Sequence, residues 1–104
     1  MTEILILITT ESSKKLAKNM AKLLIKNKLA ACVSLKDIYS IYEWEGKIEE
    51  VKEVEIIIKS KPELKSDLIA FLEKITSYNV PQILYKKFNS EKKYLNWAKK
   101  FLSK

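Results

Sequence analysis

Four β-favouring segments and three amphipathic helical stripes alternate along this 104-residue chain in the order β-α-β-β-α-β-α. Its single glycine, Gly46, falls between the two longest β-rich stretches, where a hairpin turn needs it. The length suits one compact domain, 1–104, with a real hydrophobic core and no disulfide staples. These observations predict an α+β fold: a ferredoxin-like sandwich of one antiparallel sheet with helices packed on one face, extended by a long β-hairpin and a C-terminal helix.

The first element, Ile4-Leu5-Ile6-Leu7-Ile8-Thr9, is a continuous apolar run, the pattern of a central strand buried on both faces. Thr10-Glu11-Ser12-Ser13 follows and supplies hydroxyls to cap a helix over 13–28. Leu16, Met20, Leu23 and Leu24 form the apolar stripe of that helix, beside Ala17 and Ala21, while its lysines take the outer face. Thr9-Thr10 before a helix start could cradle an anion, but the glycines of a phosphate loop are missing and a capping turn is the expectation.

The hairpin arms come next: Ala31-Cys32-Val33-Ser34-Leu35 continuing to Ile38-Tyr39-Ser40-Ile41-Tyr42-Glu43-Trp44, then Lys47 onward to Lys59. Lys36-Asp37 breaks the alternation of the first arm and predicts a bulge or bend there. Pro62 opens a second helix whose stripe is Leu64, Leu68, Phe71, Leu72 and Ile75, ending near Ser77. Val80-Pro81-Gln82-Ile83-Leu84-Tyr85 reads as the last strand, with Pro81 at its start or on an edge. Ser90 is the expected cap of a third helix that turns Tyr94, Leu95, Ala98, Phe101 and Leu102 inward.

Composition excludes whole classes of chemistry. With no histidine, His-based general-base catalysis, Ser-His and Cys-His nucleophile pairs and His-ligated zinc are ruled out. One cysteine, Cys32, cannot form an internal disulfide or a Cys-x-x-Cys motif, and a lone thiol suits a reducing compartment. All twenty basic residues are lysine, so bidentate arginine recognition of phosphate or carboxylate is absent. The formal charge of +7 raises nucleic acid as a partner, but the lysines are interleaved with glutamates and read as a solvated surface. The N-terminus lacks the basic n-region of a signal peptide, and no run approaches the roughly 20 apolar residues of a membrane helix. A cytoplasmic protein with no membrane partner is therefore expected.

The hairpin arms run about 12 to 14 residues, or roughly 40 Å at 3.3 Å per residue. A domain of this size has a radius of gyration near ~13 Å, so the tip should overshoot its own core. It carries Tyr39, Tyr42 and Trp44, residues common at interfaces. We expect these three, with Trp97, at a subunit interface; the alternative is that the arms bend and the rings pack at home. The glutamates at 43, 45, 49, 50, 53 and 55 could bind a hard cation, but they read first as the polar face of long strands, pairing with Lys36, Lys47, Lys52 or Lys59.

Leu29-Ala30-Ala31-Cys32-Val33, Ser40-Ile41-Tyr42-Glu43-Trp44-Glu45-Gly46-Lys47-Ile48 and Tyr78-Asn79-Val80-Pro81-Gln82-Ile83 together resemble the CutA divalent-cation tolerance proteins, with Ile58-Lys59 and Tyr94-Leu95-Asn96-Trp97 in support. The resemblance runs in order from about Ile4 to Trp97. It implies a ferredoxin-like subunit, a homotrimer, a cytoplasmic location and a non-catalytic role in tolerance of copper and other divalent metals, with no required cofactor. The family usually reads His-Pro-Tyr-x-Val-Pro-Glu-Ile where this chain has Thr76-Ser77-Tyr78-Asn79-Val80-Pro81-Gln82-Ile83, so two candidate metal donors are replaced by Thr76 and Gln82. Cys32 matches a family residue associated with copper, and as a soft ligand it is the candidate anchor for Cu(I); its plainer reading is a small buried hydrophobe.

Rival functions meet specific obstacles. An RNA-recognition domain shares the element order but needs stacking aromatics on its two central strands, and Ile4 to Ile8 and Val54 to Ile58 offer none, so no specific nucleic acid is expected. An acylphosphatase-like hydrolase would need an arginine. A PII-like signalling trimer that binds a small ligand between subunits meets no such obstacle and is the alternative.

Overall fold

A computed structural model describes residues 2–102. Strand β1 (Glu3–Glu11) leads through helix α1 (Lys14–Lys26) into the hairpin of β2 (Cys32–Trp44) and β3 (Lys47–Ser60). A 3-10 turn (Pro62–Leu64), helix α2 (Lys65–Ile75), strand β4 (Leu84–Asn89) and helix α3 (Lys92–Leu102) follow. The strands form one antiparallel sheet in the order β2-β3-β1-β4, which puts the two apolar runs at its centre, as expected.

Strand alternation divides β1 between two layers. Leu5 and Leu7 join Val54, Ile56 and Ile58 of β3 under Ala17, Met20 and Leu24 of α1 and Leu68 and Leu72 of α2. Ile4, on the opposite face, is buried with Leu95, Ala98 and Leu102 of α3, and Ile6 packs against that cluster. Helices therefore cover both faces rather than one. A continuous isoleucine-leucine run is compatible with either arrangement, because it is apolar on both sides.

Local chemistry explains the element ends. Ser13 caps α1, its hydroxyl accepting from the Leu16 amide. The helix stops at Lys26, short of the expected 28, because Lys28 turns left-handed at φ 58°. The Lys28 and Leu29 amides then donate to the Ile25 and Leu24 carbonyls, a Schellman closure. Leu16 and Leu23, expected in the stripe of this helix, are exposed. Pro62 opens a 3-10 turn rather than the α-helix itself, and α2 ends at Ile75. Helix α3 begins two residues after Ser90, whose hydroxyl donates to the Glu91 carbonyl and whose amide donates to Thr2, so Ser90 is not its cap. Tyr94, expected inward, is also exposed.

The hairpin pairs without interruption from Cys32 opposite Lys59 to Trp44 opposite Lys47, so the bulge expected at Lys36-Asp37 is absent. Lys36 sits across from Glu55 in an unbroken ladder. Glu45 and Gly46 close it with positive φ angles of 53° and 79°, the two-residue turn that fits the twist of the strands. The molecule spans 46 × 24 × 22 Å, and its long axis reflects the overshooting tip. Val80 to Ile83 form no strand: β4 starts only at Leu84, opposite Ile8, and leaves the end of β1 to a loop.

Candidate functional site

That loop, residues 76–83, is held at the end of β1 by two carboxylates. Glu11 is the last residue of β1 and only 1% exposed. It accepts from the Ser12 amide at 3.0 Å, from the Ser77 amide at 2.9 Å and from the Ser77 hydroxyl. All three donors are neutral. Charge-assisted bonds of this kind offset the large cost of burying a carboxylate. Next along the loop, the Tyr78 hydroxyl donates to Glu53 Oε1 at 2.7 Å, and the Tyr78 amide donates to Thr76 Oγ1. Burial pushes the Tyr78 phenol well above its ordinary range; the Glu53 hydrogen bond and charge, then Glu11 and Tyr42, add to the rise. The phenol is a permanent donor at neutral pH.

Neither Glu11 nor Tyr78 is among the site residues that the sequence predicts, although Tyr78 opens one of the family-like segments. The signal for Glu11 is the alternation: it continues the inward series Leu5, Leu7, Thr9 and so points a carboxylate into the protein. Thr76 lies at the end of α2, where its hydroxyl serves the Tyr78 turn. Gln82 is exposed further along the loop.

Cys32 lies elsewhere. It opens β2 opposite Lys59, while Glu11 pairs with Val54, which faces Asp37. Five residues of strand, roughly 17 Å, separate the thiol from that end of the sheet. Glu55 is four residues from Lys59 along β3, too far to share an ion with Cys32 in one chain. The half-buried thiol lies near Tyr94, whose phenol is raised first by burial and then by Cys32. No group of three or more cysteine, aspartate or glutamate side chains among the described residues could hold a metal. Within one chain, the described residues bring together no complete copper site.

The hairpin supplies a third feature. Tyr39, Tyr42 and Trp44 are 59%, 44% and 47% exposed, so the rings do not pack at home. Alternation puts Tyr39 on the face that α1 and α2 cover nearer the core and Tyr42 and Trp44 on the face of α3. Trp97, also about half exposed, stacks on Tyr94 with centroids 5.7 Å apart. Charge is segregated rather than interleaved: residues 37–55 hold seven acids and two lysines, and the rest of the chain holds eighteen lysines and six acids. An open cleft of about 500 Å³ marks where the hairpin leaves the body, between Ser12 and Lys14 on one side and Tyr39 and Lys52 on the other. At its rim Lys14 pairs with Asp37 at 3.2 Å, both ends well exposed and worth little.

A β2-β3-β1-β4 sheet covered by helices on both faces, with a projecting, acidic, aromatic hairpin and a carboxylate-anchored loop, defines a ferredoxin-like α+β protein. Residues 4–101 match the family model described as CutA1 divalent ion tolerance protein. Protein CutA of Mus musculus is 41% identical over 73 residues, 69% of this chain and 41% of that protein, so the chain matches only about two fifths of the mouse protein's length. The crystal structure of the divalent ion tolerance protein CutA1 from Ehrlichia chaffeensis superposes with a TM-score of 0.93 at 29% identity, covering 98% of this chain and 97% of that one. The periplasmic divalent cation tolerance protein CutA from Archaeoglobus fulgidus does so at 0.91 and 31% identity, covering 95% and 98%. The chain belongs to the CutA1 divalent ion tolerance protein family.

Proposed function

We propose that this protein is a homotrimeric, non-catalytic component of tolerance to divalent metals, copper foremost, working in the cytoplasm. The observation that carries the reading is the hairpin: an overshooting acidic tip with three half-exposed rings, on a body with a large excess of lysine. One copy's tip complements the next copy's body, a heterologous contact that closes into a ring. The unpaired outer edges of β2 and β4 favour the same assembly, because exposed strand edges seek partners. The family supplies the number three and the link to metal tolerance.

Metal binding is narrow on this reading. Cys32 is the one thiol, so each chain takes at most one thiolate-anchored Cu(I), with its remaining donors supplied from elsewhere. The free thiol supports a reducing compartment. The faces of the central strands β1 and β3 bear no ring, which supports weak, unspecific contact with nucleic acid. Light scattering on the purified protein tests the assembly: the expected mass is three times the 12.1 kDa of one chain. A stable folded monomer at micromolar concentration refutes it.

A further inference from the structure

We infer that Glu11 is the positioning residue of the α2–β4 loop: its buried carboxylate grips Ser77 and thereby delivers Tyr78 onto Glu53. Because β4 starts opposite Ile8, residues Thr9 to Glu11 have no β4 ladder beside them. Backbone pairing cannot hold the loop there, and side chains must. Two consecutive loop residues are tied to carboxylates from two different strands. Ser77 uses both its amide and its hydroxyl on Glu11 of β1, and Tyr78 uses its hydroxyl on Glu53 of β3. The third Glu11 bond, from Ser12, fixes the carboxylate from its own side and aims it at the loop.

The two ties are not equivalent. Glu11 is buried and takes three donors, so its position is determined by the fold. Glu53 is half-buried and takes one recorded donor, so it follows where Tyr78 arrives. Control therefore runs from Glu11 through Ser77 to Tyr78. The same loop carries Thr76 and Gln82, so its geometry at those positions also answers to Glu11. This inference does not rest on the tolerance reading, and its test involves no metal.

The test is Glu11→Gln in the full chain, read by amide hydrogen exchange and by ultraviolet titration of Tyr78. The amide has nearly the shape of the carboxylate but turns one acceptor into a donor against Ser77. Exchange at Ser77 and Tyr78 should rise about tenfold or more, with the α1 core unchanged. The Tyr78 phenol should titrate at lower pH. Glu53→Gln should lower the Tyr78 titration but leave Ser77 protected, which separates the two roles. If Glu11→Gln does not fold, Ser77→Ala decides, since it removes one bond at an exposed position; it should speed Tyr78 exchange severalfold. Unchanged exchange at Ser77 and Tyr78 in Glu11→Gln, or at Tyr78 in Ser77→Ala, overturns the inference.

Discussion

Replacing Trp44 with alanine separates the assembly of this protein from its folding. Trp44 is 47% exposed in one chain, next to the hairpin turn and beyond the core. A tryptophan presents at most about 250 Å², so roughly 120 Å² remains for a neighbour to cover. At ~25 cal/mol per Å² that coverage is worth about 3 kcal/mol per interface. Such a loss is roughly 150-fold in one association step. In the proposed trimer three equivalent interfaces would close the ring, so the concentration at which it dissociates should rise at least about a hundredfold. The isolated chain should lose under about 0.5 kcal/mol, because an exposed ring contributes little to its own fold. Light scattering across a dilution series, with circular dichroism on the same samples, checks both halves. A variant that stays trimeric at the dilutions where the natural chain does refutes coverage of Trp44. One that unfolds as it dissociates shows instead that the ring supports its own hairpin.

Tyr78→Phe removes the donor to Glu53 and should cost about 1–2 kcal/mol in denaturant unfolding at neutral pH. The folded phenol is raised above its ordinary value of 10.0, so its stabilisation is complete below pH 10 and is lost as pH rises further; the natural protein should lose stability above pH 10 more steeply than Tyr78→Phe. Gly46→Ala meets no atom within 4 Å, yet its φ of +79° strains any L side chain, so the melting temperature should fall by an amount equivalent to about 1 kcal/mol. Cys32→Ser should abolish Cu(I) uptake in a reducing titration and leave the trimer intact; uptake unaffected by the change would place the metal elsewhere.

What the sequence made legible were the features written in consecutive residues. The isoleucine-rich β1 and the β3 run announced central strands, Ser13 announced the start of α1, and Glu45-Gly46 announced the turn. The errors share a different origin. Val80 to Ile83 has the composition of a strand, but Pro81 lacks an amide and these residues cross the end of β1 instead, so only Leu84 and Tyr85 of the expected segment pair, as the start of β4. The true β4, Leu84–Asn89, is exposed along its whole length, so no buried stripe marked it. The two faces of β1 could not be assigned because both are apolar, and α3 settles on the one that α1 and α2 leave open.

The loop site was the least legible part because its partners are far apart in the chain. Glu11 and Ser77 are separated by 66 residues, and Glu53 and Tyr78 by 25. Neither carboxylate is marked by a neighbouring motif; each becomes a holding group only when the β1–β3 register brings Glu11 beside Val54 and leaves Glu53 just past the end of β1. Thr76 and Gln82, where the resemblance implies a family His and Glu, sit on a loop tied down by carboxylate bonds of its own. An ion that recruits buried Glu11 competes with three donors already on its carboxylate. Carboxylates engaged by the loop at one end of the sheet and a solitary thiol at the other disfavour a tight metal centre within one chain, which favours the proposed reading that the hairpin acts between copies.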